Sequence, residues 1–147
     1  MLNKKIVRKG IPNDLYSLYQ IEKDVFDNEH WTENMISDEL LDVFGRATWV
    51  LEESHKILGY CMTRSFGKEV NIMNMAIETP SQGKGLGRFL LGYVLDQTPI
   101  NSSVFLEVKQ GNFNAINLYR SFGFQKINLR GNYYKDGSSA LVMYLEH

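Results

Sequence analysis

Two spacings of apolar residues alternate along the chain, and their order outlines a fold. KKIVRKG, residues 4–10, is a short strand candidate. After Ile11 and Pro12, Asn13 or Asp14 can cap a helix whose Leu15, Leu18, Tyr19, Val25 and Phe26 recur at i, i+3, i+4, i+7, with Glu22 as one polar exception. A second helix follows, with Thr32 as its cap and Met35, Ile36, Glu39, Leu40 and Val43 on one side. From Ala47 the spacing shortens. ATWVLEE, KILGYCMT and EVNIMNMAI are β-branched, aromatic and apolar runs parted by turn residues, which predicts a three-stranded antiparallel meander. Leu86, Phe89, Leu90, Tyr93 and Val94 then return to helical spacing, and VFLEV follows as a buried-strand candidate. NFNAINLYRSFG predicts another helix, with Asn112 or Asn114 as cap, Ala115, Leu118, Tyr119 and Phe122 on one face and Gly123 as its stop. FQKINLR and SALVMYLE close the chain as strands. The expected class is α/β, with an α+β mixed sheet: mostly antiparallel strands first, then a βαβαβ unit with helices on the sheet faces, because parallel neighbours need a crossover.

Bulk composition narrows the classes without choosing among them. The 147 residues suit one domain, 1–147, large enough to enclose a cleft. With 44% hydrophobic and 22% charged residues, the chain reads as an ordinary globular protein rather than a disordered or fibrous one. A formal net charge of −1 argues against a general nucleic-acid surface. One cysteine, Cys61, can form no internal disulfide, and MLNKKIVRKG lacks the apolar core of a secretory signal, so a cytoplasmic location is expected. No apolar run approaches the roughly 18 residues of a membrane span.

The stretch SQGKGLGRFLL, residues 81–91, alternates glycines into a helix start. Glycines admit positive φ and leave backbone N–H groups uncovered, and a helix N-terminus adds partial positive charge, so the turn suits a phosphate. Lys84 and Arg88 add full charges. A Walker A loop is excluded, because the lysine lies between glycines with no hydroxyl residue after it. A dinucleotide fingerprint is excluded too, because Arg88 stands where its last glycine belongs. By itself the segment also fits a turn that merely packs a helix close to a sheet.

Its surroundings add a resemblance. Gln82-x-x-Gly85-x-Gly87, after a strand ending MNMAI and before an amphipathic helix, resembles the acyl-coenzyme A pyrophosphate loop of the GNAT superfamily of N-acetyltransferases. Asn112-x-x-Ala115-x-x-Leu118-Tyr119-x-x-x-Gly123-Phe124 is similar to that superfamily's second segment. The resemblance covers essentially the whole chain. It implies that Met75, Ala76 and Ile77 bind the acetyl and pantetheine portion of acetyl-coenzyme A, residues 83–88 (Gly83, Lys84, Gly85, Leu86, Gly87 and Arg88), with Gln82 beside them, the pyrophosphate, and Asn112 the pantetheine arm. FLEVKQGNFNAINLYRSFGF, LRGNYYKDG and HWTE resemble RimI-type ribosomal-protein alanine N-acetyltransferases. Three departures stand out: Lys109 where arginine is usual, Gly131 for a second basic residue, and a short loop after Tyr134.

Acetyl transfer to an amine needs a base for the amine proton and an acid for the departing thiolate. Glu107 interrupts an apolar strand, where a carboxylate is costly unless paired or functional. Its residue type alone fits an ion pair with Arg130 or Lys109; the resemblance implies the general base for an α-amine, directly or through water. Tyr119, inward on its helix, fits core packing, and the resemblance implies the general acid. Trp31, Arg130, Asn132, Tyr133 and Tyr134 belong to the matched motifs flanking the acceptor cleft, and the aromatic ones fit either its wall or the core. Cys61 has no evident activating partner, and His30, His55 and His147 show no zinc spacing, so neither an acyl-cysteine nor a metal is expected. The resulting expectation is acetylation of a protein N-terminal α-amine, that of the N-terminal alanine of a small-subunit ribosomal protein. A GNAT enzyme for a small amine and a non-catalytic acyl-coenzyme A-binding module are the alternatives.

Overall fold

A computed structural model of the chain describes residues 4–147, so the first three residues of the expected domain lie outside it. Among the described residues seven strands and four α-helices follow in the order β1 (Lys5–Lys9), α1 (Leu15–Phe26), α2 (Glu33–Glu39), β2 (Arg46–Glu53), β3 (Lys56–Phe66), β4 (Glu69–Ile77), α3 (Leu86–Gln97), β5 (Ser103–Lys109), α4 (Phe113–Ser121), β6 (Gln125–Arg130) and β7 (Ala140–Glu146). The strands form one sheet in the order β1-β2-β3-β4-β5-β7-β6. β2, β3 and β4 make the expected antiparallel meander, with β1 added at its edge. β4 and β5 pair in parallel across the α3 crossover.

The second crossover differs from the simplest reading of a βαβαβ unit. β7 inserts between β5 and β6 and pairs antiparallel with both, so β5 and β6 run in the same direction without touching as neighbours. β6 is left at the edge, exposed along its length.

Each face of the sheet carries its own core. α3 and α4 cover one face, where Leu90, Leu91 and Val94 pack with Val104, Leu106 and Met143. α1 and α2 cover the other over β2–β4, where Leu18, Ile21 and Ile36 meet Val50, Tyr60 and Met62. Local sequence sets the helix limits. The Thr32 hydroxyl accepts from the Met35 N–H at 3.2 Å, and Asn112 Oδ1 accepts from the Ala115 N–H at 3.2 Å, each satisfying an amide that the helix leaves free. Gly123, at φ +100°, ends α4 in a conformation that costs other residues strain. Asp14 precedes α1, but its carboxylate turns back to accept from the Ile11 N–H and from Arg8.

Three local patterns depart from the sequence reading. α2 ends at Glu39, so Val43 lies beyond it, and Met35 and Val43 are both exposed. Phe89 is exposed, because the buried stripe of α3 runs through Leu86, Leu90, Leu91, Val94 and Leu95. β5 is half-buried rather than buried throughout: Val104, Leu106 and Val108 enter the core while Glu107 lies on the opposite, open face.

Candidate active site

The feature that makes a site is an interrupted strand pair. β4 and β5 pair through Ile72 and Leu106 and no further, although both continue. At the same place Met73 is skipped in the β3–β4 register, Met62 pairing with Asn74 and Thr63 with Ile72. Such a bulge bends its strand and adds twist. The ends of the two strands part and open a cavity of about 860 Å³.

One end of the cavity is built for an anion. Gly83 (φ +77°) and Gly85 (φ +81°) are left-handed, and a Cβ at either would meet nothing within 4 Å. These glycines therefore answer to backbone conformation rather than to crowding. They turn the chain into α3, whose first amides lack intrahelical partners and carry the positive end of the helix dipole. Gly87 answers to crowding: a Cβ there would come within 3.2 Å of Leu118 Cδ2. The Gln82 side-chain amide donates to the Ile77 carbonyl at 2.9 Å and ties the turn to the end of β4.

The middle of the cavity brings together residues far apart in sequence. Met75, Ala76 and Ile77 line it from β4, Glu107 from β5, and Asn112 and Tyr119 from the β5–α4 turn and α4. Tyr119 is 8% exposed and stacks edge-on against Phe124. Burial, followed by the neighbouring Cys61 and Tyr134, pushes its phenol well above the ordinary range, so it stays protonated. Glu107 is more open, with a side chain 30% exposed, and Arg130 Nε lies 3.2 Å from its Oε1. The Tyr133 phenol is raised mainly because it hydrogen-bonds Glu107. Of the two cations weighed for Glu107, Arg130 makes the pair, and Lys109 instead meets Asp136 at 2.6 Å.

The other end is lined by Trp31, Tyr134, Glu22 and Glu29. The loop after β6 spans it: the Lys135 N–H donates to Glu29 Oε1 at 3.1 Å on one side, and the Lys109–Asp136 pair holds the other. Burial first, then its charged and phenolic neighbours, push the Tyr134 phenol up to about 12.

Most of the residues singled out in the sequence line this cavity: Trp31, Met75, Ala76, Ile77, Gln82, Gly83, Gly85, Leu86, Gly87, Glu107, Asn112, Tyr119 and Tyr134. Lys84, Arg88, Arg130, Asn132 and Tyr133 are not among its lining. Arg88 lies over the Phe122 ring at 5.7 Å, Arg130 and Tyr133 meet Glu107 from outside, and Asn132 takes a left-handed turn conformation at φ +51°. Cys61 is fully buried, which pushes its thiol up to about 12 and leaves it a poor nucleophile.

Sequence reasoning missed Glu22, Asn74 and Glu29. Glu22 is 1% exposed, yet three donors converge on it: the Tyr60 hydroxyl at 2.5 Å, Asn74 Nδ2 at 2.5 Å and the Trp31 N–H at 2.9 Å. Burial and the Glu22 charge together raise the Tyr60 phenol far above its ordinary value. The signal was available, since Glu22 is the polar residue in the apolar stripe of α1.

The parted β4–β5 pair and the glycine turn at a helix start both lie within residues 13–124, which the model of the acetyltransferase (GNAT) family matches, and the chain belongs to that family. It is therefore an acetyl-coenzyme A-dependent N-acetyltransferase. Its relatives include a Bacillus subtilis (strain 168) protein provisionally named a ribosomal protein bS18-alanine N-acetyltransferase, 31% identical over 99% of this chain and 97% of that one. The ribosomal protein bS18-alanine N-acetyltransferase of Escherichia coli (strain K12) is 34% identical over 65% of this chain and 68% of its own. Among solved structures, the Escherichia coli ribosomal-protein-S18-alanine N-acetyltransferase superposes with a TM-score of 0.89 at 28% identity, covering 97% of this chain and 94% of that one. Ard1 from Thermoplasma volcanium gives 0.83 at 25% identity, covering 97% of this chain. Among the described residues, no helix is long and apolar enough to cross a membrane.

Proposed function

We propose that this N-acetyltransferase acts on a protein N-terminal α-amine, that of the N-terminal alanine of a small-subunit ribosomal protein. Two relatives named for that reaction support the acceptor, one of them matched over nearly its full length. The observation that carries the chemistry is that Glu107, with an exposed carboxylate, and Tyr119, with a buried and protonated phenol, line one cavity.

In this reading the glycine turn and the first amides of α3 hold the pyrophosphate. Because the Lys84 and Arg88 side chains lie outside the cavity lining, backbone N–H groups do this work and the two cations supply only a favourable field. Met75, Ala76 and Ile77 hold the pantetheine and acetyl portion on the parted segment of β4, and Asn112 its arm. The incoming ammonium gives one proton to Glu107, directly or through water. Its nitrogen then bonds to the thioester carbonyl carbon, the carbon–sulfur bond breaks, the thiolate takes the Tyr119 proton, and the second nitrogen proton, shed as the amide forms, returns through solvent to Tyr119. Trp31 and Tyr134 form walls around the acceptor, while Arg130, Asn132 and Tyr133 shape the turn beyond it.

The test is turnover of acetyl-coenzyme A with peptides beginning in alanine, against a panel of polyamines, amino acids and aminoglycosides. Acetylation of the peptide α-amine, lost in Glu107→Gln, is the expected result; turnover confined to small amines overturns the reading.

A further inference from the structure

The carboxylates at the cavity differ in what neutralises them. Glu107 has Arg130 beside it. Glu22 has three neutral donors, a phenol, a carboxamide and a backbone amide, and no cation pairs with it among the described residues. The donors satisfy hydrogen bonding and mark an acceptor-only carboxylate, but they do not cancel its charge. A buried carboxylate without a counter-ion is costly, and a cation that arrives to pair with it relieves that cost. Here the open side of the site is the reaction cavity, which Glu22 lines together with Trp31 and Asn74.

We infer that Glu22 anchors the acceptor: its carboxylate attracts and holds the ammonium group of the incoming amine, which Glu107 then deprotonates. Three features fit that role. α1 carries Glu22 over the parted end of β4, where Asn74 follows the skipped Met73. Its three donors come from β3, β4 and the segment before α2, so the carboxylate is fixed from three sides before any ligand arrives. Oε2 accepts one hydrogen bond, from Trp31, and so keeps acceptor capacity for an N–H of the ammonium. The acceptor class follows from charge: a primary or secondary ammonium binds and a neutral or anionic isostere does not.

The inference rests on the proposed function for its peptide probe and for Glu107 as the base. The experiment is calorimetric binding of an alanine-initiated pentapeptide to the full chain saturated with coenzyme A, alongside the same peptide with its α-amine replaced by hydrogen. Wild type is expected to prefer the ammonium peptide by about tenfold or more, the scale of one charge-assisted hydrogen bond. In Glu22→Gln that preference falls to about twofold while affinity for the des-amino peptide stays within about twofold of wild type. A purely structural Glu22 predicts equal weakening of both peptides, and that result overturns the inference, as does a preference left intact. Should Glu22→Gln not fold, Glu107→Gln decides: the preference is expected to survive there, and its loss assigns the anchor to Glu107 instead. Wild-type turnover is measured in parallel. If only a small amine is acetylated, the peptide reading fails and the same comparison with that amine and its des-amino analogue still tests Glu22.

Discussion

Replacing Tyr119 by phenylalanine separates chemistry from packing at one atom. The side chain is 8% exposed, its ring rests edge-on against Phe124 at 5.8 Å between centroids, and no hydrogen bond contributes to its raised phenol. The ring contacts survive in the variant. Removing a hydroxyl that has no protein partner costs the fold about 0 kcal/mol and can stabilise it slightly, because the desolvated group disappears. Catalysis changes on another scale. A positioned general acid contributes about 10²–10⁴-fold, or roughly 3–5 kcal/mol of transition-state stabilisation. Tyr119→Phe should therefore melt within about 2 °C of wild type while kcat, measured as free thiol released at saturating acetyl-coenzyme A and acceptor, falls about 100-fold or more. The acetyl-coenzyme A KM should move little. Because burial keeps the phenol protonated far above neutral, the wild-type kcat profile should show no loss of this acid below about pH 10. A variant that keeps kcat within about threefold of wild type refutes the acid role and leaves Tyr119 as core.

Three further outcomes follow from the geometry. Gly85→Ala forces an L-residue to φ +81° with open space around its Cβ, so stability should drop by about 1–2 kcal/mol in urea melts and the acetyl-coenzyme A KM should rise several-fold; an unchanged KM would detach the turn from the pyrophosphate. At Asp14 burial raises the carboxyl, but hydrogen bonds from Arg8 and the Ile11 N–H outweigh it and leave the folded value below 3.8. The stabilisation is thus present above that unfolded value and lost as pH falls through the folded one, so Asp14→Asn should cost about 1–3 kcal/mol at pH 7, with a gap that closes below about pH 4. Cys61, buried and with its thiol pushed up to about 12, should resist disulfide reagents at pH 8 in the native state and react at once in denaturant; fast native labelling would contradict the burial.

Short-range signals were legible and long-range ones were not. Thr32, Asn112 and Gly123 act as helix signals because a cap is decided within three or four residues. The meander was legible because its strands are compact apolar runs and its turns are brief. β7 between β5 and β6 was not, since no local pattern records which strand will be a neighbour. The same limit hid the Lys135 amide on Glu29, 106 residues away, and the Asn74 amide on Glu22, 52 residues away. Glu107 was found for its rarity in an apolar run, although alternation placed it on the open face rather than in the core. Glu22 carried the same signal in a helix, where an isolated polar residue blends into a 3.6-residue period.

Met73 works like a shifted reading frame. Upstream, even-numbered Val70 and Ile72 belong to the core under α3 and α4; downstream, odd-numbered Met75 and Ile77 do. Delete that one residue, and every side chain from Asn74 to Ile77 trades faces. Asn74 would be lost to Glu22, Ala76 to the layer beneath α1, and Met75 and Ile77 to the layer beneath α3. One supernumerary position thus sets the polarity of the whole strand end, and its removal should scramble the pocket while leaving every other residue that lines it present in the chain.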